Sequence, residues 1–225
     1  MAHPGTAGPV DGGTSIALDP FSPERSAPTA STEREAVGAV LAGDRDAFRP
    51  LVEREGPSLV RACCRILGDL HEAEDVAQEA FVIAYRSLES WRAEGPFGAW
   101  LTRIGLRLAL RRVRARRSVV RIDLARPAAA ARGDGSSIEI IDVPASSDRH
   151  DPAAISVRAE RAAELRRAVA RLGDPYSEVV ALRFFAERSL AEIADLTGRP
   201  VPTVKTHLRR GLLRLRDEMS GRDGR

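Results

Sequence analysis

The chain has 225 residues, of which 43% are hydrophobic and 4% aromatic, and its formal net charge is +3. This length allows one large or two small cores, which aliphatic side chains must fill. No apolar run approaches the roughly 18 residues that a membrane-spanning helix needs, and the N-terminus lacks the basic-then-apolar order of a secretion signal. We therefore predict a cytoplasmic protein that makes no membrane contact.

The cysteines and histidines give no sign of a metal or cofactor site. Cys63 and Cys64 are adjacent and are the only cysteines, and the four histidines are scattered along the chain. Neighbouring cysteines rarely pair with each other, and two thiols without a nearby histidine cluster make a poor zinc site. We predict that both are reduced helix residues and that the protein uses no cofactor and no metal.

The N-terminal half is predicted to be a disordered tail followed by a helical module. Gly, Pro, Ser, Thr and Ala dominate the start of the chain without periodicity, which predicts a disordered tail over 1–32. The next part, 33–117, is predicted to be almost wholly helical. Its expected helices are 34–41, 44–55, a third that Pro57 opens and that ends at 67, 70–90 and 97–117.

The last two helices of this module have clear apolar stripes. In 70–90 the stripe repeats at helical spacing and comprises Ala73, Val76, Ala77, Ala80, Phe81, Ala84, Tyr85 and Leu88. The opposite side carries Asp75, Gln78 and Glu79, with Val82 and Ile83 beside them. In 97–117 the predicted inward residues are Trp100, Leu101, Ile104 and Leu108, and the outward arginines are Arg103, Arg107, Arg111, Arg112 and Arg114.

A second helical module follows a linker. Residues 118–151 are rich in Pro, Gly and Ser and are predicted to be the linker, in which 137–143 could form a short extended patch. Pro152 marks a helix start. Helices are expected over 152–171 and 176–185, ahead of two more, so this module spans 152–219 and residues 220–225 form a disordered tail. No strand is predicted, and the fold class is all-α.

The last two helices, within 189–216, have the pattern of a helix-turn-helix. Ser189 with Glu192 three positions on predicts a capping box, Gly198 supplies the turn and Pro202 sits near the next helix start. The second helix has a predicted buried face of Val204, Leu208, Leu212 and Leu215. Its outward residues are Thr203, Lys205, Thr206, His207, Arg209, Arg210 and Arg214. A basic helix after a tight turn fits a DNA major groove; an ordinary helical hairpin with a solvated arginine face is the alternative.

Two basic blocks, one in each module, flank the mildly acidic linker, as expected for two modules that face nucleic acid. At this point a family resemblance adds to the residue pattern. Residues 68–91 (GDLHEAEDVAQEAFVIAYRSLESW) with 97–117 (FGAWLTRIGLRLALRRVRARR) resemble region two of the extracytoplasmic-function (ECF) sigma factors of bacterial RNA polymerase. Residues 181–219 (ALRFFAERSLAEIADLTGRPVPTVKTHLRRGLLRLRDEM) resemble region four of the same family, in the same order.

The resemblance implies a function and its surfaces. Such a factor binds core RNA polymerase, at the clamp helices of the largest subunit and at the flap, and directs promoter-specific initiation. Region two, 33–117, would dock through Asp75, Gln78, Glu79, Val82 and Ile83. It would bind and help to melt the −10 element through the loop 91–96 and through Trp91, Arg103, Arg107, Arg111, Arg112 and Arg114. Region four, 152–219, would bind the −35 element through Thr203, Lys205, Thr206, Arg209, Arg210 and Arg214. Trp91 could equally be a core residue, and the resemblance leaves open an anti-sigma protein as a further partner.

Two other classes of function are weighed against this one. An enzyme is disfavoured because the carboxylates near Asp75 lack a histidine at di-iron spacing, and no phosphate loop or nucleophile–base set is present. A stand-alone helix-turn-helix regulator stays open as the alternative. The two differ in whether DNA binding requires core polymerase.

Overall fold

The computed structural model describes residues 28–123 and 152–220. Within these ranges the chain forms eight α-helices and no strand, which confirms the all-α prediction. The predicted extended patch at 137–143, most of the predicted linker and most of the two predicted tails lie outside the described residues. No helix in the described part of the chain is long and apolar enough to cross a membrane.

The helices fall into two modules in chain order. The first module comprises α1 (Pro28–Leu41), a 3₁₀ turn (Arg45–Phe48), α2 (Arg49–Leu67), α3 (Leu70–Arg86), a second 3₁₀ turn (Leu88–Ser90) and α4 (Phe97–Asp123). The second module comprises α5 (Pro152–Arg171), α6 (Tyr176–Phe184), α7 (Leu190–Thr197) and α8 (Val201–Ser220).

Three predicted boundaries in the first module are wrong. The helix α1 begins at Pro28, inside the predicted tail 1–32, because proline fits the first turn of a helix and no breaker follows it. Pro57 lies inside α2 instead of opening a new helix. Leu51 before it and Leu59 after it share one buried face, and a break between them would misalign that face. The helix α4 continues into the predicted linker, to Asp123.

The core of the first module lies between α2, α3 and α4. The α3 stripe is built of small residues that are almost fully buried: Ala73, Val76, Ala77, Ala80 and Ala84. Small side chains let the neighbouring helices approach closely. Phe81 is only half-buried, and Tyr85, which was expected to be inward, is 38% exposed.

The buried face of α4 is rotated from the predicted one. Its buried apolar residues after the first turn are Leu101, Leu106, Ala109, Leu110 and Val113, while Trp100, Ile104 and Leu108 are only half-buried. Gly105 lies at the contact with α2, where a Cβ atom would lie 2.6 Å from Leu59 Cδ1. The glycine therefore marks the line along which the two helices touch.

The second module is arranged around α6, whose residues 177–182 are all buried. The helix α8 packs on it through Val204 and Gly211, with Leu208 and Leu215 half-buried. A Cβ atom on Gly211 would lie 3.0 Å from Val180 Cγ2, so the contact with α6 is close at this glycine. The predicted inward position of Leu212 is therefore wrong, and that side chain is 38% exposed.

Candidate nucleic-acid interface

The helix-turn-helix forms as the sequence predicts. The Ser189 side chain accepts a hydrogen bond from the Glu192 amide, and the Glu192 carboxylate accepts one from the Ser189 amide, which completes the capping box. Gly198 adopts the left-handed conformation with φ of 65° and ends α7. The helix α8 then begins at Val201, so α7 and α8 are joined by a tight turn.

The outward face of α8 is basic and accessible. Lys205, Arg209 and Arg210 are exposed, and within residues 28–123 and 152–220 no carboxylate forms an ion pair with any of the three. Thr206 is also exposed and its hydroxyl donates to Pro202 O at 2.9 Å, whereas Thr203 is half-buried. The N-terminal half of α8 thus offers positive charge that no carboxylate of the described residues neutralises, with the Thr206 hydroxyl beside it.

Two residues of the predicted outward set behave differently. The guanidinium of Arg214 lies over the Tyr176 ring, 4.2 Å from its centroid, although the residue is exposed. His207 is half-buried and packs edge-on against the same ring, with centroids 5.7 Å apart. The prediction that His207 is outward is therefore wrong, since α6 covers it.

The arginines of α4 are largely engaged with the second module. Arg103 Nε donates to Glu178 Oε1 of α6 at 2.8 Å, and Arg103 Nη1 donates to the carbonyl of Leu196 in α7. Arg107 Nε lies 3.4 Å from the same Glu178 oxygen. Arg114 Nε donates to Ala170 O at 2.6 Å. Three of the arginines assigned to the −10 element thus make contacts between the modules.

The other two arginines of this set differ. Arg111 is exposed, and Arg112 lies 3.5 Å from Glu79 of α3. Of the five arginines, only Arg111 points away from both α3 and the second module. The face of α4 that is open to solvent therefore carries less positive charge than the five arginines together would give it.

Glu178 is a buried carboxylate at the centre of this contact. Its side chain is 3% exposed and accepts from Arg103, and Arg199 Nη1 donates to its second oxygen at 3.1 Å. Burial alone would raise the pKa of the Glu178 carboxyl, but the hydrogen bonds and charges of Arg103, Arg199 and Arg107 outweigh it and lower the pKa. Glu178 is therefore ionised, as a buried acceptor for arginine must be.

The loop 91–96 is held by two neighbouring residues of α1. Glu33, 3% exposed, accepts a hydrogen bond from the amide of Phe97 at 2.8 Å, where α4 begins. Arg34 Nη2 donates to the carbonyl of Ala93 at 3.0 Å. Trp91 is half-buried and packs edge-on against Phe97, with centroids 5.8 Å apart. The loop is thus fixed at its middle and at its end.

A cleft of about 380 Å³ lies between this loop and α7. The indoles of Trp91 and Trp100 line one side and Glu192, Asp195 and Leu196 line the other. The cleft brings the two indoles close to the Arg103 side chain, whose guanidinium is already bound to Glu178 and to the carbonyl of Leu196.

All five residues of the predicted docking face on α3 are exposed to solvent. Asp75, Gln78 and Glu79 are exposed, and Val82 and Ile83 beside them are 49% and 37% exposed. Apolar side chains that remain open to solvent beside carboxylates are suited to a protein interface that becomes partly desolvated. The structure therefore brings this whole predicted set together on one surface.

Sequence reasoning missed the three residues that organise these sites. For Glu33 the available sequence signal was its spacing of four residues from Val37, which places both on one face of α1. In the structure that face is buried, and Val37 is 4% exposed. Glu178 interrupts an apolar run, in which a charge needs a partner. Arg199, directly after the helix-ending glycine, carried no signal. Among the described residues, no group of three or more His, Cys, Asp or Glu side chains could hold a metal ion.

Comparisons with known proteins identify the family of each module. Residues 51–119 match the family Sigma-70 region 2, and residues 162–215 match Sigma-70, region 4. The ECF RNA polymerase sigma factor SigW of Bacillus subtilis is 32% identical over 186 residues, which cover 83% of this chain and 96% of that protein. The RNA polymerase sigma-H factor of Pseudomonas aeruginosa is 30% identical over 182 residues, 80% of this chain and 90% of that protein.

Among solved structures, CnrH in complex with the cytosolic domain of CnrY is 23% identical, with a TM-score of 0.49 over 86% of this chain and 97% of that chain. The class that the two helical modules and the sequence matches define is the sigma factor of bacterial RNA polymerase. Within that class, the chain belongs to the ECF family of sigma factors.

Proposed function

We propose that this sigma factor binds core RNA polymerase and directs initiation at its promoters, with no catalytic activity of its own, in the cytoplasm. The single observation that carries the proposal is the basic face of α8 on a capped helix-turn-helix. Recognition helices of this type place their N-terminal residues against base edges in the major groove. An anti-sigma protein is a further partner that the family leads us to expect.

The −35 element is assigned to the exposed face of α8. Arg209 and Arg210 are the candidates for base contacts, because arginine bound to guanine by two hydrogen bonds is the commonest specific contact in the major groove. Lys205 and Arg214 are assigned to phosphates, with Thr203 and Thr206 beside them. Loss of a base contact should cost about 1–3 kcal/mol of discrimination at one position.

The −10 element is assigned to the first module. Trp91 and the loop 91–96 would hold an unstacked base, and a base must leave the stack before its pairing edge can be read. Arg103, Arg107, Arg111, Arg112 and Arg114 would contact the backbone. The α3 face, with Asp75, Gln78, Glu79, Val82 and Ile83, would dock on the clamp helices of the polymerase.

The test is run-off transcription with purified core polymerase and a genomic promoter library. We expect transcripts from a discrete set of promoters only when the chain is added. A stand-alone regulator would instead bind duplex DNA without core polymerase and would add no transcripts, and that result would overturn the proposal.

Substitutions on α8 then test the −35 assignment against a randomised −35 library. Arg209→Ala and Arg210→Ala should change sequence preference, whereas Lys205→Ala should weaken binding evenly and lower the salt slope by about one unit. Arg216→Ala is the matched control, because Arg216 is exposed on the same helix and lies beside Asp217. Unchanged preference and salt slope in all three variants would show that another surface reads the element.

A further inference from the structure

Ala93, in the middle of the loop 91–96, has a backbone conformation that alanine rarely adopts. Its φ is 55°, which lies in the left-handed region. A Cβ atom makes this region unfavourable, so a residue other than glycine stays there only where its surroundings hold it. The loop does contain a glycine, but Gly95 stands two positions further on. Strained positions of this kind are concentrated at sites that bind a ligand, and each of them needs a restraint.

Arg34 of α1 supplies the restraint. Its Nη2 donates a hydrogen bond to the carbonyl of Ala93 at 3.0 Å, across 59 residues of chain. Other bonds tie the two ends of the loop. The amide of Trp91 donates to the carbonyl of Leu88 at 3.1 Å, and the amide that begins α4 donates to Glu33 at 2.8 Å. Because both ends are fixed, the conformation of Ala93 decides the path of the chain between them.

That path decides which groups face the cleft beside the loop. Arg92 and Glu94, the two neighbours of Ala93, are exposed and line the cleft together with Trp91. They bring a hydrogen-bond donor and an acceptor close to an indole. An unstacked base is read by hydrogen bonds to its pairing edge and by stacking on an aromatic side chain. A change of φ at Ala93 would turn the two charged side chains relative to each other.

We propose that Arg34 is a positioning residue for the −10 element, whose bond to the Ala93 carbonyl holds the loop in the shape that selects one base. The inference rests on the proposed function, because it takes the loop 91–96 as the place where an unstacked base is held. A loop that is ordered in advance binds without a further ordering cost. Without Arg34, an alanine adopts the left-handed region at most about one time in ten. The base contact then forms only in that fraction of molecules.

The experiment uses holoenzyme assembled from core polymerase and the full chain. Run-off transcription from a promoter library randomised over the −10 element gives the base preference at each position. Arg34→Ala should lower the preference at one position by about tenfold, in proportion to the left-handed population. Arg49→Ala is the matched control, because Arg49 is an exposed arginine of the same module that lies 3.8 Å from Asp46. It changes the net charge equally and should leave the preference at every position unchanged.

Substitutions at position 93 separate positioning from a general role in folding. Glycine adopts positive φ about as readily as negative φ, so Ala93→Gly added to Arg34→Ala should restore the preference to within about threefold of wild type. If Arg34 only stabilised the fold, the glycine would loosen the loop and lower the preference further. Ala93→Val should lose the preference even with Arg34 present, because a β-branched residue is strongly disfavoured in this region. Circular dichroism checks that each variant is folded.

Two results would overturn the inference while the proposed function stands. One is an Arg34→Ala holoenzyme that keeps the wild-type −10 preference. The other is a double variant whose preference is no better than that of Arg34→Ala. A wild-type chain that supports no transcription with core polymerase would instead overturn the proposed function, and this inference with it.

Discussion

Glu33 should contribute more to stability than any other carboxylate of α1, and Glu33→Ala tests this. The side chain is 4% exposed and accepts from the Phe97 amide at 2.8 Å and from Arg54 Nη2 at 2.7 Å. A hydrogen bond to a charged group contributes about 1.5–3 kcal/mol net. Because the Arg54 side chain is 33% exposed, its pairing is screened and adds at most about 1 kcal/mol.

The substitution should therefore lower the free energy of unfolding by about 2–4 kcal/mol, which corresponds to roughly 5–10 °C in Tm for a chain of this size. Glu33→Gln keeps an oxygen that can accept from Phe97, so it should cost only about 1 kcal/mol. Urea denaturation followed by circular dichroism measures both variants.

Glu35→Ala is the matched control, because Glu35 is exposed on the same helix and its loss should change stability by less than about 0.5 kcal/mol. If Glu33→Ala were as stable as Glu35→Ala, the bond to Phe97 would not secure the start of α4. The stability argument for this residue would then be wrong.

Three further predictions follow from other parts of the molecule. Reversing the charges of Asp75 and Glu79 to arginine should weaken binding to core polymerase at least about tenfold in a fluorescence titration, since two repulsive contacts replace attractive ones. Unchanged affinity would show that this face is merely solvated. Burial raises the pKa of Cys63 to about 12, so mass spectrometry should find it alkylated at pH 8 only after unfolding. Gly211→Val should cost about 1–3 kcal/mol in urea denaturation because it overpacks the contact with Val180.

These predictions have internal controls. Charge reversal at exposed Glu160 should leave polymerase binding unchanged. Cys64, which is only half-buried, should react before its neighbour in the folded protein. At Gly38, in open space on α1, the same change to valine should alter stability by less than about 0.5 kcal/mol, and an equal loss there would contradict the packing argument.

The helix-turn-helix could be predicted in detail because its signals are local. The capping box at Ser189 and the left-handed glycine at position 198 depend only on neighbours in sequence, and both form as predicted. The buried faces of α4 and α8 were partly wrong because tertiary contacts set them. In each case a glycine, Gly105 or Gly211, lies where another helix approaches, and an apolar-residue count does not include glycine.

The arginines of α4 show a different limit. Their outward spacing was predicted, but their partners were not, because Glu178 lies 75 residues from Arg103 along the chain. Nothing local to either residue indicates that they meet. The exposed α3 face required no such pairing, and periodicity alone places its five residues on one surface.

The position of Glu33 and Arg34 bears on how a working fragment of this protein should be cut. Both residues precede the span 51–119 that matches Sigma-70 region 2. The Arg34 side chain nevertheless binds the Ala93 carbonyl within the loop between α3 and α4, and the Glu33 side chain binds the Phe97 amide where that loop meets α4. A fragment trimmed to the matched span would keep every proposed −10 contact and lose both anchors of that loop. Its boundary should be placed before Pro28, where α1 begins.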